Sequence, residues 1–230
     1  MKIGLFINQS RILANDIVDF VQEVEDSNLD GIFIFDHLWP VGQPTKAAHD
    51  SVSLASFVLS NTSQLKVGIL AMRLTLRGLE SSISSILSLS SLAEERLIVT
   101  LGIGDKLSDR ENSAFGIEKL SFEQRLIELE KAVELLKTRI SELWVGGSSS
   151  AIKDIALKYN LLVNFWDVPI CQIDGSTTPF TYAAPFVSVS HSKDLNAVED
   201  FRNLANAGAK WAIVGWPPSI ELLGHIKDNL

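Results

Sequence analysis

Cysteine is nearly absent: Cys171 is the only one in 230 residues. A lone thiol excludes an internal disulfide and a multi-thiolate metal centre, and is read as a buried or half-buried apolar side chain. The four histidines, His37, His49, His191 and His225, are dispersed, so no metal site is expected. Basic charge is also short. Lys and Arg number 20 against 28 Asp and Glu, a net charge of −8 with no basic block, which argues against nucleic acid as a partner. No apolar run approaches the roughly twenty residues of a membrane span. The apolar stretch 1–7 is too short for a secretory signal and has no small-residue cleavage site. The expected protein is cytoplasmic, without membrane attachment, acting on an unidentified small molecule; homodimer formation is left open.

What the chain does have is buried volume. With 46% hydrophobic residues it can enclose one large core. Eight short apolar runs, 3–7, 31–35, 65–70, 97–101, 143–145, 161–165, 184–189 and 211–214, read as buried strands, with helical patterns between most of them. The clearest helix is 121–140, where Phe122, Leu126, Leu129, Val133, Leu136 and Ile140 repeat with helical spacing behind a Ser121/Gln124 capping box. Asp194 is the expected cap of a helix carrying Leu195, Val198, Phe201 and Ala205, which Gly208 ends. Pro217-Pro218-Ser219 leads into a final helix, 220–227. The serine-rich run 81–91 still carries an apolar face of Ile83, Ile86, Leu87 and Leu92. Eight strands alternating with helices and no long polar linker predict an α/β fold, one (β/α)8 barrel domain over 1–230, with an open doubly wound sheet as the alternative. Between strands six and seven, 167–185 holds three prolines, a glycine and Ser176-Thr177-Thr178. It has no helical period, so the helix there is expected to be missing or reduced.

Chemistry collects at the carboxyl ends of these strands, where such barrels keep their active sites. Asp36-His37 follows the buried run 31–35. His37 is a candidate proton donor or hydrogen-bond donor to a ring, or else a strand-end cap. Alternation along the strand sends the two side chains opposite ways; the expectation is His37 inward and Asp36 organising the loop that follows, with Asp36 also a candidate cofactor contact. After strand four, Gly102-Ile103-Gly104-Asp105 offers glycines for close approach of a ligand and Asp105 as a candidate acid, or simply a tight turn; no third glycine completes a dinucleotide fingerprint. After strand five, Gly146-Gly147-Ser148-Ser149 precedes a helix near Ala151. This suits a phosphate cradle of free N–H groups, helix dipole and hydroxyls, with Lys153 as added charge, or a turn needing one serine cap. Trp39 and Trp166 either wall a planar ring or pack the rim. Arg125, Glu128 and Glu130 read as a solvated helix face with local ion pairs.

Together these residues resemble the bacterial luciferase-like monooxygenases, flavin- or deazaflavin-dependent oxidoreductases on a (β/α)8 barrel. The resemblance rests on the Asp36-His37 strand, Leu101-Gly102-Ile103-Gly104, Ala114-Phe115-Gly116, Phe122-Glu123-Gln124-Arg125, Trp144-Val145-Gly146-Gly147-Ser148 and the closing run 207–215. It implies FMN or the deazaflavin coenzyme F-420 as cofactor, His37 facing the ring, Asp105 where deazaflavin-dependent members often carry an acid, and the 146–148 turn on the phosphate. It implies hydride transfer or oxygen activation. The chain departs from the pattern at Arg77-Gly78-Leu79, where the family usually has proline and alanine, and at 94–96. It is also shorter, without the helix after strand six and the insertion near strand seven, so a non-catalytic flavin-binding or subunit-pairing protein is the alternative.

Overall fold

Eight parallel strands close on themselves in sequence order, β1 to β8, with β8 back beside β1. The computed structural model describes residues 1–10, 12–40, 43–93, 95–105, 108–173, 178–189, 197–215 and 219–230. Along the chain run β1 (Lys2–Phe6), α1 (Ala14–Asp26), β2 (Gly31–Ile34), α2 (Ser51–Ser60), β3 (Lys66–Arg73), the short α3 (Leu74–Arg77), α4 (Leu79–Ala93) and β4 (Leu97–Gly102). Next come α5 (Asp109–Ala114), α6 (Phe122–Leu136), β5 (Glu142–Gly146), α7 (Ser150–Tyr159), β6 (Leu162–Trp166) and α8 (Ile170–Ile173). The chain closes with β7 (Phe180–Pro185), α9 (Phe186–Val189), α10 (Ala197–Asn206), β8 (Ala209–Gly215) and α11 (Ile220–Asp228).

Each strand is apolar on both faces because each face meets protein. Ile3 and Leu5, Ile32 and Ile34, Val67 and Ile69, and Ala212 and Val214 pack outward against the helices. The alternate positions, Phe6, Phe33, Leu70, Ile98, Trp144, Ala183, Trp211 and Ile213, fill the barrel. Phe33 crosses the interior, with Trp144 and Trp211 at ring-centroid distances of 6.0 and 5.3 Å. Its ring has room because β1 and β3 present Gly4 and Gly68: a Cβ at either would lie 2.4 or 2.3 Å from it.

The Ser121/Gln124 capping box is present at the start of α6. Three expectations change. The seventh strand is Phe180–Pro185, not 184–189, and 186–189 turn into α9. Thr181, a polar residue in this strand, faces inward and accepts a hydrogen bond from Asn164 Nδ2 at 2.9 Å, while Pro185 has no N–H with which to continue a ladder. In α4 the buried side is Ser82, Ile86, Leu89 and Ala93, and Leu92 is 69% exposed; serine and alanine are small enough to serve as core positions there. Cys171 is exposed, on a four-residue turn anchored by Ile173. Between β6 and β7 the described residues hold only α8. Residues 174–177, the cap at Asp194, His191, and Pro217-Pro218 lie outside the described residues. Among the described residues no helix is long and apolar enough to cross a membrane.

Candidate active site

The alternation of β2 continues past its last ladder residue and sorts the two ionisable groups. Asp36 follows Ile32 and Ile34 to the helix side, and His37 follows Phe33 and Phe35, its ring centroid 6.2 Å from that of Phe35. Phe35 stacks on Phe6 at 3.9 Å and 4°, and the Trp166 ring stands edge-on to both at 5.6 and 5.8 Å. The carboxyl end of the barrel therefore has an aromatic floor, with Trp166 40% exposed above it.

The acid that touches His37 comes from α5. Glu111, 1% exposed, places Oε2 2.8 Å from His37 Nδ1. Its Oε1 accepts the N–H groups of Leu38 and, at 3.2 Å, Trp39. Arg73 Nη2 lies 3.0 Å from Oε2, as an ion pair without an aligned N–H. Burial pushes the Glu111 carboxyl up. The His37 hydrogen bond, the charges of His37 and Arg73 and the Leu38 N–H outweigh burial and hold it below its ordinary 4.5. His37 keeps a quarter of its side chain exposed, and its Nε2 has no partner among the described residues.

Asp36 is built into the wall instead, 2% exposed. Its oxygens accept from Ser51 Oγ at 2.6 Å, the Arg73 N–H at 2.9 Å and Arg77 Nη1 at 2.7 Å. Its backbone carbonyl accepts from Arg73 Nε at 2.7 Å. Arg77 also reaches Asp50 at 2.5 Å. The carboxylate expected to contact cofactor, or to organise the loop after His37, thus ties β2 to α2 and to the end of β3; the loop after His37 hangs on Glu111.

Asp105 is exposed, and its Oδ1 accepts from the Ser108 N–H and Oγ at 3.0 and 3.1 Å, a turn-forming role ahead of α5. Gly102 and Gly146 are neighbours in register on β4 and β5. A Cβ at Gly102 would lie 2.9 Å from Ala71 Cβ, and one at Gly146 3.4 Å. Gly102→Ala is accordingly expected to cost about 1–3 kcal/mol by overpacking, read as a lower Tm; an unchanged Tm would show the wall gives way freely. Gly104 adopts φ 72°, and its carbonyl and that of Ile103 accept from Arg125 Nη1 at 2.9 and 2.8 Å. Arg125, expected on a solvated face, instead braces this turn.

After β5, Gly147 has φ 139° and donates its N–H to Asn164 O at 3.1 Å. Ser149 caps α7 through the Ile152 N–H at 3.4 Å. The N–H groups of Ser150 and Ala151, in the first turn of this ten-residue helix, have no intrahelical acceptor, and Ser148 is exposed beside them. Two free N–H groups and a hydroxyl at the positive end of a helix suit an anion. Lys153 lies over the Phe165 ring at 5.3 Å.

A model of the luciferase-like monooxygenases matches residues 1–151. The chain belongs to this family. Among curated proteins it is 27% identical over 143 residues to an "F420-dependent glucose-6-phosphate dehydrogenase" of Kineococcus radiotolerans, covering 62% of this chain and 42% of the relative. It is 23% identical over 147 residues to one of the same name from Amycolatopsis mediterranei, covering 64% and 42%. The matched stretch thus spans less than half of those relatives. Among solved structures, an "F420-dependent secondary alcohol dehydrogenase in complex with an F420-acetone adduct" superposes with TM-score 0.76 at 12% identity, covering 100% and 98% of the two chains. A type II Baeyer–Villiger monooxygenase of Pseudomonas putida in complex with FMN gives 0.68 at 11%, covering 100% and 96%. At such identities these two establish the shared barrel alone.

In this luciferase-like barrel the residues that sequence reasoning missed are Glu111 and Arg73. Glu111 sits in the polar run Asp109-Arg110-Glu111-Asn112-Ser113, where nothing local separates a buried acid from its solvated neighbours. Arg73 carries a local signal, an arginine closing a strand otherwise apolar from Val67 to Met72.

Proposed function

We propose that this chain is a ring-cofactor oxidoreductase that binds FMN or, favoured by both curated relatives, the deazaflavin coenzyme F-420 at the carboxyl end of the barrel. The observation that carries the reading is His37, held by a buried carboxylate beside an aromatic floor with Nε2 open. The residues present fit such a group: Phe6, Phe35 and Trp166 offer apolar surface to a planar ring, and the start of α7 offers N–H donors to its phosphate. When bound, the cofactor supplies hydride transfer or, if FMN, oxygen activation. The protein's part is to exclude water with the aromatic cluster, to fix His37 through Glu111, and to hold or accept a proton at Nε2. Gly146 and Gly147 shape the turn that brings the first turn of α7 to the rim, and Ser148 and Ser149 edge it. Asp36 and Asp105 act through structure in this reading.

The test is absorbance titration with each cofactor in both redox states. Saturable binding of one of them is expected, and binding of neither would remove the proposal. Gly147 is a poor place to introduce charge, because any Cβ there would lie 2.4 Å from Ile152 Cδ1. Ser148→Asp instead should weaken cofactor binding by about tenfold or more, since each hydrogen bond to a charged group is worth about 1.5–3 kcal/mol. Unchanged affinity in that variant would clear α7 of any part. Binding without turnover of any alcohol, aldehyde or reducible substrate would favour the second reading, a family member that retains its cofactor only; the connection between β6 and β7, whose described residues hold only the four-residue α8, and the Arg77-Gly78 departure support that reading.

A further inference from the structure

Arg73 is 5% exposed, closes β3 opposite Gly102, and touches both sides of the strand end. Its Nε donates to the Asp36 carbonyl and its backbone N–H to the Asp36 carboxylate. Its Nη1 donates to Asn112 Oδ1 at 3.2 Å, and its Nη2 lies 3.0 Å from Glu111 Oε2. That oxygen is also the one His37 Nδ1 meets at 2.8 Å. A carboxylate this buried, with an imidazole as its sole side-chain partner, has two stable arrangements. Either the carboxylate is ionised and accepts from Nδ1–H, or the pair binds one proton more, which sits on the carboxyl and is donated to Nδ1 while the ring proton moves to Nε2. Which nitrogen of a histidine carries the proton is set by the hydrogen bond the other makes. A permanently charged guanidinium on Oε2 selects the first.

We propose that Arg73 is a positioning residue for His37: by its charge it keeps Glu111 ionised, so the neutral imidazole carries its proton on Nδ1 and its open nitrogen, Nε2, is an acceptor. On the proposed function, on which the catalytic meaning of this inference rests, that makes His37 a proton acceptor rather than a donor when it is neutral. The charged groups around the pair are Glu111 from α5, Arg73 itself, and Asp36, Arg77 and Asp50 behind Arg73. Asp36 and Asp50 share Arg77, and among the described residues Glu111 is the carboxylate whose oxygen lies within ion-pair distance of the Arg73 guanidinium.

The experiment is long-range ¹H–¹⁵N spectroscopy of the imidazoles in the full chain without cofactor, followed as a pH titration from above the imidazole range down through the carboxyl range. His37 is assigned by its loss in His37→Asn, and Glu111 is followed through its carboxyl ¹³C titration. The parent should show the Nδ1–H form. Arg73→Met should move the Glu111 titration upward, because burial then acts on it with one cation fewer, and below that raised point the carboxyl rather than the ring holds the extra proton, so that Nε2–H replaces the imidazolium. Arg73→Lys, which keeps the charge and loses the fork, should retain the parental form. Should Arg73→Met fail to fold, Arg73→Gln, uncharged and still a donor, replaces it in the same comparison. A parent spectrum showing Nε2–H at a pH where Glu111 is ionised overturns the proposal whatever the variants do, and so does a folded uncharged variant in which the Glu111 titration does not move. Cofactor titration reports separately: its failure removes the functional reading and leaves these spectra unchanged.

Discussion

Asp36→Ala is expected to lower stability by about 3–5 kcal/mol, the usual cost of removing one partner of a buried ion pair. In a chain of this length that is a fall in Tm of roughly 10 °C. The loss has three sources. The Arg77 guanidinium keeps Asp50 and the Ser51 oxygen, and the Arg73 N–H and the Ser51 hydroxyl are left without the acceptor they share. Each unpaired buried group costs about 1–3 kcal/mol on its own, so the sum need not be additive to reach this range. Asp36→Asn, which keeps the shape and an acceptor, should recover part of the loss. A variant that melts with the parent and yet loses cofactor would place this carboxylate in the site and reverse its assignment.

His37→Ala should behave in the opposite way, with turnover reduced by about 10²–10⁴-fold, the contribution of a positioned acid or base, and a Tm close to the parent's. Glu111 keeps Arg73 and the two loop N–H groups when His37 is gone, so the fold loses one hydrogen bond. Steady-state kinetics with the cofactor that binds, together with thermal melts, separate this residue from Asp36. Acid unfolding checks the carboxylate behind it. Glu111 titrates below its ordinary 4.5 in the folded chain, so its contribution is present above about pH 4.5 and is lost as pH falls through the folded value. Glu111→Gln should flatten that part of the stability-against-pH curve, and an unaltered acid limb would show that the carboxylate is not stabilised by its partners.

The barrel was legible because parallel strands covered on both faces leave nearly unbroken apolar runs, and all eight observed strands overlap runs read from the sequence, the seventh by residues 184 and 185 alone. The rest of that strand was not legible because Thr181 interrupts its apolar pattern and spends its polarity on Asn164, a residue seventeen positions away. The opposite facing of Asp36 and His37 was also legible, since side-chain alternation is a local property of extended backbone. Their partners were not. Glu111 is 74 residues from His37, and Arg77 is 41 from Asp36.

Local pattern, then, determined the strand order, the capping box of α6, the inward histidine and the glycine turns at the strand ends. These follow from periodicity and backbone geometry, which act over a few residues. Only the closed barrel decided which carboxylate meets the imidazole and which serves the wall. Asp36, Asp105 and Glu111 are alike as residues in a sequence, and they differ in what folding sets around them: two arginines and a serine near Asp36, a turn and solvent near Asp105, an imidazole and a guanidinium on one oxygen of Glu111. Charge and hydrogen bonding act through space, so the role of an ionisable group is settled by its neighbours in the fold and not by those in the chain.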